Sequence, residues 1–198
     1  MKRKPTSRPG NRAPRTGPPD PGLQRATELF HAGRTVEAAK LVDAAVARNP
    51  KDPNALRIKA LILLKGGLML DAQRLLDRAH KADPRNPMIP LDQAVIHKLG
   101  GRYREMIESA REACRRMPGN RRAEAMLVQA LEGAGDHDRA IEVVERAISK
   151  RGLDPEMGES YANVLELAGR REDAMVVVDR LLEASSSRRR ARAPPCTT

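Results

Sequence analysis

Aromatic residues are nearly missing from this 198-residue chain, which has no Trp, one Phe (Phe30) and two Tyr (Tyr103 and Tyr161). Its core must therefore be built from Leu, Val, Ile, Met and Ala, which suits close-packed helices better than a β-sandwich. Cysteine is scarce as well. Cys114 and Cys196 form no CxxC pair and no disulfide framework, which fits a reducing compartment. Cys114 falls in an apolar helical stripe and reads as a small packed side chain rather than a reactive thiol. The apolar runs, such as Leu61 to Leu64, are only about four residues long, where a bilayer span needs about 20. Prolines follow the basic N-terminus where a secretory signal would place an apolar segment. The expectation is a soluble, cytoplasmic protein with no membrane span.

Motifs that carry chemistry are missing too. His31, His80, His97 and His137 are scattered, and no HExxH, HxH or Cys/His cluster exists, so no metal site is expected. Gly66-Gly67 and Gly100-Gly101 lack the lysine of a P-loop, and neither GxSxG nor GxGxxG occurs. The carboxylates alternate with Arg and Lys at helical spacing, as solvated faces do. The expectation is a chain that is not an enzyme and takes no cofactor.

Positive charge is abundant, at a net +11, but it sits at the ends. Residues 1–18 carry Lys2, Arg3, Lys4, Arg8, Arg12 and Arg15 without an acid, and residues 185–198 carry Arg188, Arg189, Arg190 and Arg192 without an acid. The remaining 27 bases and all 26 acids lie in 19–184, which is close to neutral. The proline- and glycine-rich start and the Ser- and Arg-rich end have the composition of disordered tails. Unstructured arginines bind phosphate weakly and without sequence preference, and these tails hold no aromatic residue to stack on bases. A nucleic-acid role through the tails is a minor alternative.

What the sequence does have is a period. Gly33, Gly67, Gly101, Gly135 and Gly169 are each 34 residues apart without an insertion. At an average glycine frequency, five on one grid is an accident of roughly one in ten thousand. Small residues keep the same step at Ala26, Ala60, Ala94 and Ala162, with Val128 between them, and at Ala38, Ala72, Ala140 and Ala174, with Met106 between them. Each unit reads as two helices: one with i, i+3, i+4 apolar spacing, as in Leu56, Ala60, Leu63 and Leu64, ending at the glycine, then a second running to a column that holds Pro50, Pro84 and Pro118. Pro53, Pro87 and Pro155 mark where the next first helix begins. The fold class predicted is all-α, an α-solenoid of helix–turn–helix units over 19–52, 53–86, 87–120, 121–154 and 155–188, with the folded array taken as 19–184.

The period, the small-residue columns, the glycine between helices and the closing proline resemble the tetratricopeptide repeat family. The resemblance departs in aromatic content, with Leu29, Leu63, His97, Leu131 and Leu165 standing where the family usually has a large aromatic residue. It implies a right-handed superhelix whose first helices line a concave groove that holds a peptide or helix of a protein partner. Carried over column by column, the groove residues are Leu23, Thr27 and Phe30, then Arg57, Leu61, Leu64 and Lys65, then Leu91, Val95, Lys98 and Leu99. Arg122, Gln129 and Glu132 follow, then Glu156, Glu159, Asn163 and Glu166. Leu61 and Leu64 read equally well as packing between units. The chaperone-tail clamp of some family members is not matched, since Leu61 and Asp92 replace its polar donors. The function implied is a protein-binding scaffold. The alternative is the docking front of a larger enzyme, as arrays of this kind precede sulfotransferase domains.

Solenoids bury their faces only against neighbours, so a terminal unit needs a cover. The fifth unit ends in Met175, Val177, Val178, Leu181 and Leu182, and the serines that follow predict no further amphipathic helix. Self-association through Met175, Val178, Leu181 and Leu182, most simply as a homodimer, is expected.

Overall fold

An Asp or Asn stands before most of the first helices and supplies what the initial turn lacks. The Asp52 carboxylate accepts from the Asn54 and Ala55 amides at 2.8 and 3.0 Å, Asn120 accepts from Ala123 at 3.0 Å, and Asp154 from Met157 at 2.9 Å. Each cap satisfies amides that have no partner inside the helix. Pro53 and Pro155 follow at the first helical position, where the missing N–H costs nothing.

A computed structural model describes residues 20–192, with side chains to residue 183. Among the described residues there are ten α-helices and no strand. They are α1 (Pro21–His31), α2 (Thr35–Arg48), α3 (Pro53–Lys65), α4 (Met69–Ala82), α5 (Met88–Leu99), α6 (Tyr103–Arg116), α7 (Arg121–Gly133), α8 (His137–Arg151), α9 (Pro155–Leu167) and α10 (Arg171–Arg192). The fold class is the all-α one expected. The chain divides into two compact units between Asn86 and Pro87, with the pairs α1/α2 and α3/α4 in the first and the pairs α5/α6, α7/α8 and α9/α10 in the second. The basic arm expected at 1–18 and the end of the tail from 193 lie outside the described residues.

Every first helix closes in the same way. In α1 the Arg34 amide donates to the Leu29 carbonyl at 2.8 Å and the Gly33 amide to the Phe30 carbonyl at 3.1 Å. This paired closure needs a left-handed residue at the glycine. Gly33, Gly67, Gly101, Gly135 and Gly169 all have φ between 65° and 81°, so the 34-residue glycine column is a column of helix stops. A side chain at any of them would strain the backbone.

The core of the first unit gathers Leu23, Ala26, Val42, Ala45, Ala55 and Ile58. In the second unit Leu91, Met106, Ala110, Leu131, Val144 and Leu165 belong to one continuous cluster. The fully buried alanines, among them Ala38, Ala72, Ala94, Ala113 and Ala140, let neighbouring helix axes approach closely. Two contacts are tighter still. A Cβ on Gly133 would stand 2.2 Å from the Tyr103 ring, and one on Gly158 would stand 2.5 Å from a Leu181 methyl. Tyr103 and Leu181 thus seat directly on helix backbone.

Two expectations about the chain end are corrected. The second helices α2, α4, α6 and α8 hold 14 or 15 residues, but α10 holds 22 and runs on to Arg192. Its backbone continues through the serines because no proline interrupts it before Pro194, and Arg and Ala are strong helix formers. The array boundary at 184 is therefore not a helix end. Nor does the whole apolar set of α10 face outward. Val177 is buried and Leu181 is half-buried on Gly158, whereas Met175, Val178 and Leu182 are exposed.

Two titratable groups report their surroundings. The Cys114 thiol is half-buried and pushed up to about 11, chiefly by burial and then by the charge of Glu124, so it stays protonated at neutral pH. The Glu112 carboxyl is held down to about 2 by hydrogen bonds from Arg115 and then Arg116. Because its folded value lies below the unfolded 4.5, its stabilisation is full above pH 4.5 and is lost as pH falls toward 2. Glu112→Gln is expected to cost roughly 0.5–1 kcal/mol at pH 7, the scale of a partly exposed ion pair. Urea unfolding across that pH range should show the difference from wild type shrinking toward zero at the acid end.

Candidate partner-binding face

The expected groove residues lie on first helices, and each unit presents its own set. In the first unit Phe30 on α1 and Lys65 on α3 meet, the ammonium lying 5.5 Å from the ring centroid in a cation–π contact. Thr27 is half-buried and donates its hydroxyl to the Leu23 carbonyl at 2.9 Å. Arg57, Leu61 and Leu64 are half-buried, so each gives part of its surface to packing and part to solvent.

In the second unit the candidates bond to one another from helix to helix. Lys98 on α5 donates to Gln129 on α7 at 2.7 Å, and Asn163 on α9 donates to Glu132 on α7 at 3.1 Å. These two ties align the exposed sides of α5, α7 and α9. Val95 packs half-buried against the core beside them. Leu91 does not join this face. It is 1% exposed inside the core, which corrects its placement in the groove. Leu23, in the same column, is buried as well, while Glu159 in that column is exposed. An apolar side chain at this register turns inward, whereas a carboxylate there stays in water because burying it unpaired is costly.

Glu156, Glu159 and Glu166 are all exposed on α9, a helix with no Lys, Arg or His. Among the described residues no cation stands within ion-pair distance of any of the three. Glu132 and Glu166 also occupy last turns, where a negative charge opposes the partial negative charge of the helix end. Bases fill the last turns of α1, α3 and α5, and none fills those of α7 and α9. Tyr161 helps to hold α9 in place. Its hydroxyl donates to Glu145 on α8 at 2.6 Å and is pushed up to about 12 by burial first and by that bond second.

The repeat columns did not reveal a small cavity between α7, α8 and α9. It measures about 40 Å³ and is walled by Val128, Val143, Val144, Ala147 and Met157. An Arg121–Asp154 ion pair at 3.0 Å and an Arg151–Glu124 pair flank it. The repeat gives no sign of it because these ion pairs do not recur from unit to unit. In the first unit Lys51, Arg78 and Lys81 line an open basic cleft beside Pro50 and Leu56. Among the described residues no three or more His, Cys, Asp or Glu side chains gather as a metal-binding group, and no helix is long and apolar enough to cross a membrane.

The sequence profile of the tetratricopeptide repeat matches residues 23–87 and 125–189, well over half of the chain. The chain belongs to the tetratricopeptide repeat family. Its fold resembles a crystal structure of MamA at a TM-score of 0.72 and 17% identity, covering 89% of this chain and 96% of that one. A second MamA crystal structure aligns at a TM-score of 0.70 and 18% identity over 83% and 96% of the two chains. PilF of Pseudomonas aeruginosa aligns at a TM-score of 0.72 and 18% identity over 82% of this chain and 74% of its own. At these identities the likeness is one of fold, an all-α tetratricopeptide solenoid. No curated protein sequence matches the chain. Tetratricopeptide proteins are protein-interaction scaffolds, and the five tetratricopeptide helix pairs place this chain among them.

Proposed function

We propose that the second unit holds a basic, amphipathic segment of a partner protein on the exposed side of α5, α7 and α9, without catalysing a reaction. The observation that carries this reading is the run of exposed glutamates on α9, beside a Glu132 whose partner is the neutral Asn163. Negative charge at the last turns of α7 and α9 disfavours those helix ends by about 0.3–1 kcal/mol each. A Lys- or Arg-bearing guest relieves that cost while pairing with Glu159 and Glu166, and Val95 offers its apolar side chains a contact. In the first unit, Phe30, Leu61 and Leu64 offer a more apolar surface with Arg57 and Lys65 beside it. The mode is that of a helix or extended peptide lying along a row of first helices.

A short amphipathic Lys/Leu peptide titrated into the full chain by calorimetry tests the reading. Reversing Glu159→Lys and Glu166→Lys together is expected to weaken binding at least tenfold, about 1.4 kcal/mol. Helix content should not change, since both side chains are exposed. Wild-type affinity should also fall as salt rises. Equal binding by wild type and the double variant at low salt would move the site off this face.

A further inference from the structure

The basic cleft of the first unit has no acid of its own. Lys51, on the link from α2 to α3, and Arg78 and Lys81, near the end of α4, stand around Pro50, Leu56 and Ala82 in an open cleft of about 360 Å³. Leu56 is buried beneath it, and the three bases are exposed. Arg78 donates to the Pro50 carbonyl at 3.2 Å, which holds its guanidinium beside the apolar part. No carboxylate lines the cleft. All four carboxylates between 50 and 86 are bonded elsewhere. Asp52 caps α3, Asp71 pairs with Arg74, Asp77 accepts from Gln73 and Asp83 accepts from the Arg85 amide.

Other helix pairs fill the matching columns differently. One 34-residue step on, Glu112 takes the column of Arg78 and accepts from Arg115 and Arg116 at 2.6 Å each. In α1/α2, Arg48 takes the column of Ala82 and pairs with Asp20 at 2.9 Å. In α7/α8, Glu124 takes the column of Leu56 and pairs with Arg151. Each of these three pairs supplies a carboxylate of its own, and α3/α4 supplies none. Helix ends favour nearby bases in all four, so the dipole does not explain the difference. We infer that the α3/α4 cleft takes its carboxylate from outside, from an acidic segment of a partner protein. Its Asp or Glu would stand among Lys51, Arg78 and Lys81, with an aliphatic side chain over Pro50 and Leu56. Exposed ion pairs are weak singly, so it is the three bases together that give the segment its hold. A nucleic acid fits less well, because no aromatic ring lines the cleft for a base to stack on. No residue is shared with the exposed side of α5, α7 and α9, so the inference stands without the peptide reading above.

A short fluorescent peptide of glutamates flanking a leucine, titrated into the full chain by anisotropy at low salt, tests this. Arg78→Glu recreates the Glu112 arrangement and is expected to weaken binding about tenfold, since it removes a cation and gives Lys81 an internal partner. Lys51→Glu, on a separate element, should weaken it as well. Arg104→Glu makes the same charge change at an exposed position on α6 and should bind like wild type. Circular dichroism should be unchanged in all three, since the altered side chains are exposed. Equal binding by wild type, Arg78→Glu and Lys51→Glu overturns the inference and places the attraction elsewhere on the chain. A loss in Arg104→Glu as large as in the other two overturns it as well, because net charge would then be the cause. An oligonucleotide of matched charge that binds more tightly than the peptide, and is lost in Arg78→Glu, would make the cleft a phosphate site and overturn the protein partner.

Discussion

Leu131→Ala is expected to destabilise the second unit by about 2–5 kcal/mol, the range for removing a buried leucine and leaving a cavity. Leu131 is 1% exposed and packs with Met106, Ala110, Val128 and Leu165 in the one core of that unit. The family usually places a large aromatic ring in this column, whereas the buried cluster that holds Leu131 is aliphatic, with Tyr161 packed against it from outside. Its backbone is committed as well, since the Leu131 carbonyl accepts the Asp136 amide at 2.9 Å in the closure of α7. Chemical denaturation followed by circular dichroism checks the loss. Leu63→Ala, in the same column of the first unit, serves as the comparison. Leu63 is only half-buried, so the smaller loss should belong to it. Equal losses at the two positions would mean that burial does not set the cost.

Gly158→Val is expected to lift α10 from α9. A Cβ at Gly158 would stand 2.5, 2.6 and 2.9 Å from the two methyls and Cγ of Leu181, closer than real carbon contacts come. Overpacking of this kind costs about 1–3 kcal/mol. Valine regains a few tenths of a kcal/mol over glycine in helix propensity, which does not offset the clash. Hydrogen exchange should show faster exchange across 171–183, while α7 and α8 keep wild-type protection. Leu181→Ala placed in the Gly158→Val background should recover much of the loss, and the double-mutant cycle measures the coupling. If the two substitutions prove additive, Leu181 does not seat on Gly158.

Period and composition alone disclosed the helix pairs, because the same columns return five times and each has one physical role. The glycine column was readable since only glycine takes the left-handed stop cheaply, and the alanine columns since only small side chains fit between close axes. The length of α10 was hidden by Ser185, Ser186 and Ser187, which read as a break although serine is only mildly unfavourable in a helix. The column that holds Leu91 and Glu159 does not by itself tell groove from core, because leucine at that register turns into the core and glutamate does not. The Lys98–Gln129 and Glu132–Asn163 ties stand one 34-residue step apart in the same two columns, but residue types change along those columns, so donor and acceptor swap sides. Spacing alone does not show that the two columns meet across neighbouring helices.

Those two ties also set how the second unit yields under load. Fully buried alanines seat both sets of helices on the inner side, Ala110, Ala113 and Ala140 on the second helices and Ala94, Ala123 and Ala130 on the first. The first helices α5, α7 and α9 are joined along their outer side by single hydrogen bonds open to water, each worth only about 0.5–1.5 kcal/mol net. Strain should therefore concentrate on that side. The exposed row is then the side expected to yield first, since the buried alanines behind it are close-packed and pass strain on.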